Sequence, residues 1–217
     1  MSIATLVLGE SGSGKSTSLR NLDPEKTGII QCINKPLPFK SSGWKVGLNV
    51  ARTNDPVKIL DILRAHNKDI IVIDDFQSVL VDEFMRRATQ RGYDKFTDIG
   101  KIAWDTFNLA GALAEHRRVY ILTHSHTDDN GGIHVKTVGK MVDQVITPEG
   151  YFTIVLRAVV NNGNYLFSTQ TNEQDCCKSP MGMFSETLVD NDLKAIDDAI
   201  CAYYGINNIH TIKEKIA

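Results

Sequence analysis

Gly9-Glu-Ser-Gly-Ser-Gly-Lys-Ser16 is a complete G-x-x-x-x-G-K-[ST] stretch, and its flanks decide how the chain folds. Ile3 to Leu8 before it is apolar and β-branched enough for a buried strand. Lys15-Ser-Thr-Ser-Leu-Arg20 after it opens a helix. Gly9, Gly12 and Gly14 let the backbone bend so that its N–H groups point inward at a chain of phosphates. The N-terminus of the helix adds positive dipole at the same spot. In this setting Lys15 reaches β- and γ-phosphates and the Ser16 hydroxyl joins a Mg2+ shell. The expected ligands are ATP and Mg2+. The expected nucleotide-binding set is Gly9, Glu10, Ser11, Gly12, Ser13, Gly14, Lys15, Ser16 and Thr17.

Working outward, Gly28 to Ile33 reads as a second buried strand, and Asn34 to Trp44, with Pro36, Pro38 and Gly43, as a loop. Val46 to Ala51 is a short edge strand. Asp55-Pro56 is an N-cap with proline at the first helical position, opening a helix to about His66. Asp69 to Asp75 is a third strand with acids at its C-terminal end. Phe76 to Arg91 is helical, Gly92-Tyr-Asp-Lys-Phe96 breaks it, and a second long helix covers about Asp98 to His116. Arg118 to His124 is a fourth strand. Such alternation predicts an α/β fold with a mainly parallel central sheet flanked by helices. The last third differs. Ser125 to Thr137 is a polar, mobile loop and Val138 to Val145 a short helix. Tyr151 to Val159 and Asn164 to Thr171 form a hairpin around Asn161-Asn-Gly-Asn164. Asn172 to Ser185 is a loop. Asn191 to Tyr204 is an amphipathic helix with Leu193, Ile196, Ile200 and Tyr203 on one face. Residues 1–205 are expected to form one domain and residues 206–217 a tail.

The chain has 217 residues, 42% hydrophobic and 23% charged, proportions suited to one globular domain. Its net charge of −2 confines any nucleic-acid site to a local patch. The apolar runs are strand-sized, so no membrane span is expected, and the glycine-loop strand leaves no room for a signal peptide. Cys32, Cys176, Cys177 and Cys201 have no C-x-x-C spacing, which suits reduced cytoplasmic thiols.

A buried strand ending in Asp74 and Asp75 places carboxylates at the sheet edge where open α/β folds bind ligands. Asp74 is expected to serve Mg2+ opposite Ser16. Asp75 either orients an attacking water or caps the helix that begins at Phe76. Strand 118–124 is expected between the glycine-loop strand and the acidic strand. Its tip would place His124 to sense a γ-phosphate, with Thr123 in reserve. His124 and His126 also read as a metal pair that lacks a convincing third ligand. Lys15, Asp75 and His124 are therefore the candidate catalytic residues. Basic residues that fit phosphates of single-stranded DNA are Arg86, Arg87 and Arg91 on or after the helix, and His126, His134 and Lys136 in the following loop. Tyr93 and Phe96 stand beside the first group. Both clusters also read as solvated surface. Lys140 and Arg157 are candidates to reach a neighbouring subunit's γ-phosphate, unless Arg157 pairs with a carboxylate.

The order of the glycine loop, Lys35-Pro-Leu-Pro-Phe39, Ile71-Val-Ile-Asp-Asp75, Arg91-Gly-Tyr-Asp-Lys-Phe96, Thr123-His124 and Phe152-Thr-Ile-Val-Leu156 resembles phage-encoded AAA-type ATPases with a stripped RecA core. That group includes the phage single-strand annealing proteins of the fourth Sak group. The resemblance covers about residues 1 to 171. It implies a RecA-like P-loop NTPase core with a C-terminal β-hairpin and helix, working in the host-cell cytoplasm. It further implies ATP binding, a homo-oligomer or filament on single-stranded DNA, strand annealing, and cooperation with a phage single-strand DNA-binding protein. RecA-type ATPases usually carry a glutamate after the second strand. Here Cys32-Ile-Asn-Lys35 stands there with no acid, leaving Asp75 or, remotely, Glu10 as base and slow hydrolysis as the expectation. The competing expectations are a P-loop kinase for a small molecule or nucleotide, and a helicase-loader or packaging ATPase acting on a protein.

Overall fold

A computed structural model of the chain describes residues 1–143 and 146–206. The expected tail lies almost wholly outside the described residues. The strand that precedes the glycine loop, β1 (Ile3–Gly9), is central. It pairs in parallel with β5 (Arg118–Thr127) on one side and β7 (Ile154–Asn161) on the other. Adding β2 (Thr27–Gln31), β3 (Val50–Arg52), β4 (Ile70–Asp74), β8 (Asn164–Ser168) and β9 (Leu188–Asp190) gives the order β3-β2-β4-β5-β1-β7-β8-β9. The first six of these run parallel. β8 and β9 complete an antiparallel edge, and β6 (Ile133–Val135) pairs antiparallel with the end of β5. The fold is thus α/β with a mixed, mostly parallel sheet.

Alternation along the strands sorts side chains to two faces. Leu6, Leu8, Ile71, Ile73, Val119 and Ile121 pack against α1 (Pro56–Ala65), α2 (Gln77–Arg86) and α3 (Asp94–Ala112) through Leu63, Val79 and Phe107. Val7, Val72, Tyr120 and Leu122 face the other way, onto Leu19 and onto Leu193, Ile196 and Ile200 of α5 (Leu193–Tyr204). Tyr203, expected on the apolar face of α5, is 45% exposed. A buried polar triad locks α5 to the sheet. Arg118 donates from Nε and Nη2 to the two Asp197 oxygens at 2.9 Å each, and the Tyr120 hydroxyl donates to Asp197 at 2.6 Å. α1 starts as read, with Asp55 accepting from the Val57 and Lys58 amides at 3.0 and 3.4 Å.

The edge strand expected over Val46 to Ala51 is β3, at Val50–Arg52, and five further elements differ from the reading. The segment after the glycine loop is a six-residue 3-10 turn, Ser16–Asn21, because Ser16, Thr17 and Ser18 are weak helix formers and Pro24 follows. The first long helix stops at Arg86, and the second starts four residues earlier than expected, at Asp94. The expected loop 125–137 is largely a hairpin. Thr127 faces Ile133, and the Asp128 carboxylate accepts from the Asn130 and Gly132 amides at 2.9 and 2.7 Å across an Asn130-Gly131 turn. Finally, β9 is an edge strand that three residues of ordinary pattern do not announce. Among the described residues no helix is long and apolar enough to cross a membrane.

Candidate functional site

Register brings the site together. Gly9 at the end of β1 lies opposite His124 on β5, and Asp74 at the end of β4 lies opposite Gln31 on β2. β5 does sit between β1 and β4, so the glycine loop, the acidic strand end and His124 share one edge. Gly12 and Gly14 have φ of +80° and +92°, conformations that favour glycine. At Gly9 a Cβ would stand 2.9 Å from the Ala158 carbonyl of β7 and 2.6 Å from Ser13 Oγ, so neighbouring backbone demands glycine there.

The Lys15 ammonium donates to the Gly9 and Glu10 carbonyls at 2.8 Å each, folded back on its own loop. Burial lowers its pKa to about 8, against the pull of Asp75 and Asp74. Ser16 Oγ donates to Asp74 Oδ1 at 2.8 Å. Asp74 is 2% exposed, and that burial, with the Asp75 charge beside it, raises its carboxyl to about 6. A hydroxyl and a carboxylate this close form a hard-oxygen pair of the kind Mg2+ takes. Burial also works against the Asp75 charge, but hydrogen bonds from His124 and Lys35 outweigh it and bring Asp75 down to about 2. Lys35 Nζ forms an ion pair with Asp75 Oδ2, and His124 Nε2 lies 3.5 Å from Oδ1.

Asp75 has φ +64°, a left-handed backbone that costs a non-glycine residue free energy unless its surroundings hold it. Its carbonyl accepts from Ser78 N and Oγ at 3.0 and 2.7 Å, and the next amide, Phe76 N, donates to Leu122 O at 2.9 Å. The carboxylate makes no cap for α2 and turns into the cleft instead. That cleft encloses about 650 Å3, a volume that suits a nucleotide-sized ligand. Two contact groups line it beside the glycine loop: Lys35 and His124 on Asp75, and Arg20 and Tyr165 with Asn191.

The remaining candidates lie elsewhere. Arg86 pairs with Glu83 at 3.2 Å and donates to Asn54 at 2.8 Å. Arg87 pairs with Glu83 at 2.8 Å and Asp98 at 2.5 Å. Arg91 is exposed beyond α2, as is Tyr93. Phe96 is partly buried and stacks at 5.8 Å on Phe84. His126 and His134 face each other across the hairpin with ring centroids 6.2 Å apart, and Lys136 is exposed at its foot. Among the described residues no group of three or more His, Cys, Asp or Glu is placed to hold a metal ion. Lys140 begins a four-residue helix, Lys140–Asp143, and its side chain lies outside the described residues. Arg157 Nη1 pairs with the buried Asp175 carboxylate at 2.8 Å, the alternative given for it above. Thr123 Oγ1 is buried with no hydrogen-bond partner among the described residues.

Sequence reasoning missed Lys35, Tyr165 and Asn191. For Lys35 a signal existed: it follows a parallel strand beside the acidic strand, and Pro36 and Pro38 stiffen the chain after it. Tyr165 and Asn191 arrive through β8 and the turn after β9, and no local pattern marks them. No protein-family model matches this sequence, and no curated protein matches it either.

Proposed function

We propose that this chain is an ATP-binding, slowly hydrolysing RecA-like protein whose nucleotide state controls binding and annealing of single-stranded DNA. The observation that carries the nucleotide reading is the convergence of Lys15, Ser16, Asp74 and His124 at one sheet edge, created by β5 running between β1 and β4. Ser16 and Asp74 would hold Mg2+, which would offset the charge of the phosphates. Lys15 leaves the loop carbonyls for the phosphates. In this reading the Lys35–Asp75–His124 group receives the γ-phosphate, and the Arg20–Tyr165–Asn191 group the nucleoside. Slow hydrolysis follows from the lack of an acid after β2, where Cys32-Ile-Asn-Lys35 stands, and from His124 beside the Asp75 carboxylate, which leaves it poorly placed to take a proton from water. His124 continues directly into the β5–β6 hairpin that carries His126 and His134 and leads to Lys136, so a change at the γ-phosphate has a short covalent path to this basic segment.

The test is binding of a fluorescent single-stranded oligonucleotide without nucleotide and with ATP, ADP or a non-hydrolysable analogue, at two salt concentrations. Nucleotide-sensitive binding that weakens with salt is expected. Absence of binding in every state overturns the DNA reading. Phosphotransfer to a small acceptor without DNA would favour the kinase reading instead.

A further inference from the structure

We propose that Lys35 is the chain's own γ-phosphate cation, and that residues 33–44, which carry it, form the segment whose position reports the nucleotide state. This rests on the ATP reading above. β2 ends at Gln31, and the chain remains pinned one residue further, where Cys32 N donates to Asp74 O at 3.1 Å. It then turns sharply: Lys35 N donates to Ile33 O at 3.0 Å, and the Gln31 side chain donates to Lys35 O at 3.2 Å. That turn sends the Lys35 side chain back over the sheet edge to Asp75, into the same cleft as Lys15 and His124. Where a RecA-type ATPase resemblance leads one to expect an acid, the cleft therefore receives a cation.

The pairing is exchangeable. The Lys35 side chain is 41% exposed, whereas Asp75 is 5% exposed and is shared with His124. An incoming triphosphate offers several anionic oxygens where Asp75 offers one carboxylate. A flexible ammonium follows the larger charge. The shift does not stay local, because Pro36 and Pro38 hold φ near one value and pass displacement along the chain. Beyond them the segment rests on the second core through Leu37, Phe39 and Trp44. Phe39 and Trp44 meet edge-on with centroids 6.4 Å apart, so movement of the segment changes the surroundings of an indole. The bland reading is a static ion pair that merely neutralises Asp75, and it predicts no such movement.

Trp44 supplies the readout, since the chain has two tryptophans and the other, Trp104, lies on exposed α3 surface. In a W104F background, Trp44 emission is recorded with ATP, ADP and a non-hydrolysable ATP analogue. Nucleotide affinity is measured separately by displacement of a fluorescent nucleotide, and folding by circular dichroism. The expected result is an emission change with ATP and the analogue but not with ADP. Lys35→Met should lose that change and about 10–100-fold in ATP hydrolysis while its ADP affinity stays within about threefold; a cis cation on a transferring phosphoryl group has effects of this size or larger. Lys35→Arg should restore much of the emission change. Wild-type protein that binds no nucleotide overturns the ATP reading, and this proposal with it. Nucleotide binding with no γ-phosphate-dependent emission change, or with the same change in Lys35→Met, overturns this proposal alone.

Discussion

Asp75 concentrates the tension of the site in one residue. Its backbone is left-handed, its carboxylate is buried, and the Lys35 and His124 side chains both meet it. Asparagine tolerates the left-handed region better than alanine does. Asp75→Ala should therefore lower stability by about 2 kcal/mol and Asp75→Asn by about half as much, read from urea midpoints. Equal losses would mean that the backbone conformation contributes nothing. Lys15 gives the direct test of the glycine loop. Lys15→Ala should keep the fold and lose at least tenfold in ATP affinity, and unchanged affinity would count against the loop's assignment. The thiols form a control of a different kind. Burial, with Glu149 nearby, pushes Cys176 up to about 12, and burial with Asp197 pushes Cys201 to about 11. At pH 8 a thiol at 11 is about one part in a thousand thiolate, against about a quarter for an ordinary one. The folded chain should therefore react slowly with thiol reagents and rapidly in denaturant, and a fast-reacting thiol in the native protein would contradict the packing around them.

At the scale of elements, two attachments matter. The C-terminal helix α5 is fastened by the Arg118–Asp197–Tyr120 triad as well as by its apolar face. Asp197→Ala takes the bidentate acceptor from a guanidinium that is 1% exposed and should lower stability by about 3–5 kcal/mol in thermal or urea unfolding. A change under 1 kcal/mol would show that α5 is held by apolar contact alone. The β5–β6 hairpin is the other attachment. Because His124 sits where β5 leaves the main sheet and enters the hairpin, the proposed function has His124→Ala retain ATP binding and lose the effect of nucleotide on DNA affinity. Normal coupling in that variant would retire His124 as a sensor.

For the whole molecule, the proposed binding of single-stranded DNA depends on where charge is placed. With a net charge of −2, attraction depends on patches rather than on the overall field. Arg87 is committed to two carboxylates, while Arg91 and Lys136 extend into solvent. The salt dependence of single-stranded DNA binding should therefore flatten in Arg91→Ala and Lys136→Ala, by about one ion each, and stay unchanged in Arg87→Ala. Equal slopes in all three would move the DNA path elsewhere.

How much was legible follows from the range of the forces involved. The glycine loop, the buried strands and the acidic end of β4 are written in local pattern, because backbone conformation and apolar periodicity depend on near neighbours in the chain. The Asn130-Gly131 turn is a local signal too, but the polar composition around it makes 125–137 read as a loop. Only tertiary structure decided that Lys35 and His124 share the Asp75 carboxylate, since side chains 40 and 49 positions away meet it through strand order and register. The exposed Tyr203 and the pairing of Arg157 with Asp175 likewise depend on what packs alongside them. Sequence by itself determined that this chain builds a mostly parallel sheet with a glycine loop at the end of its central strand. The fold alone decided which charges surround that loop, because Coulombic contacts obey distance in space and not separation along the chain.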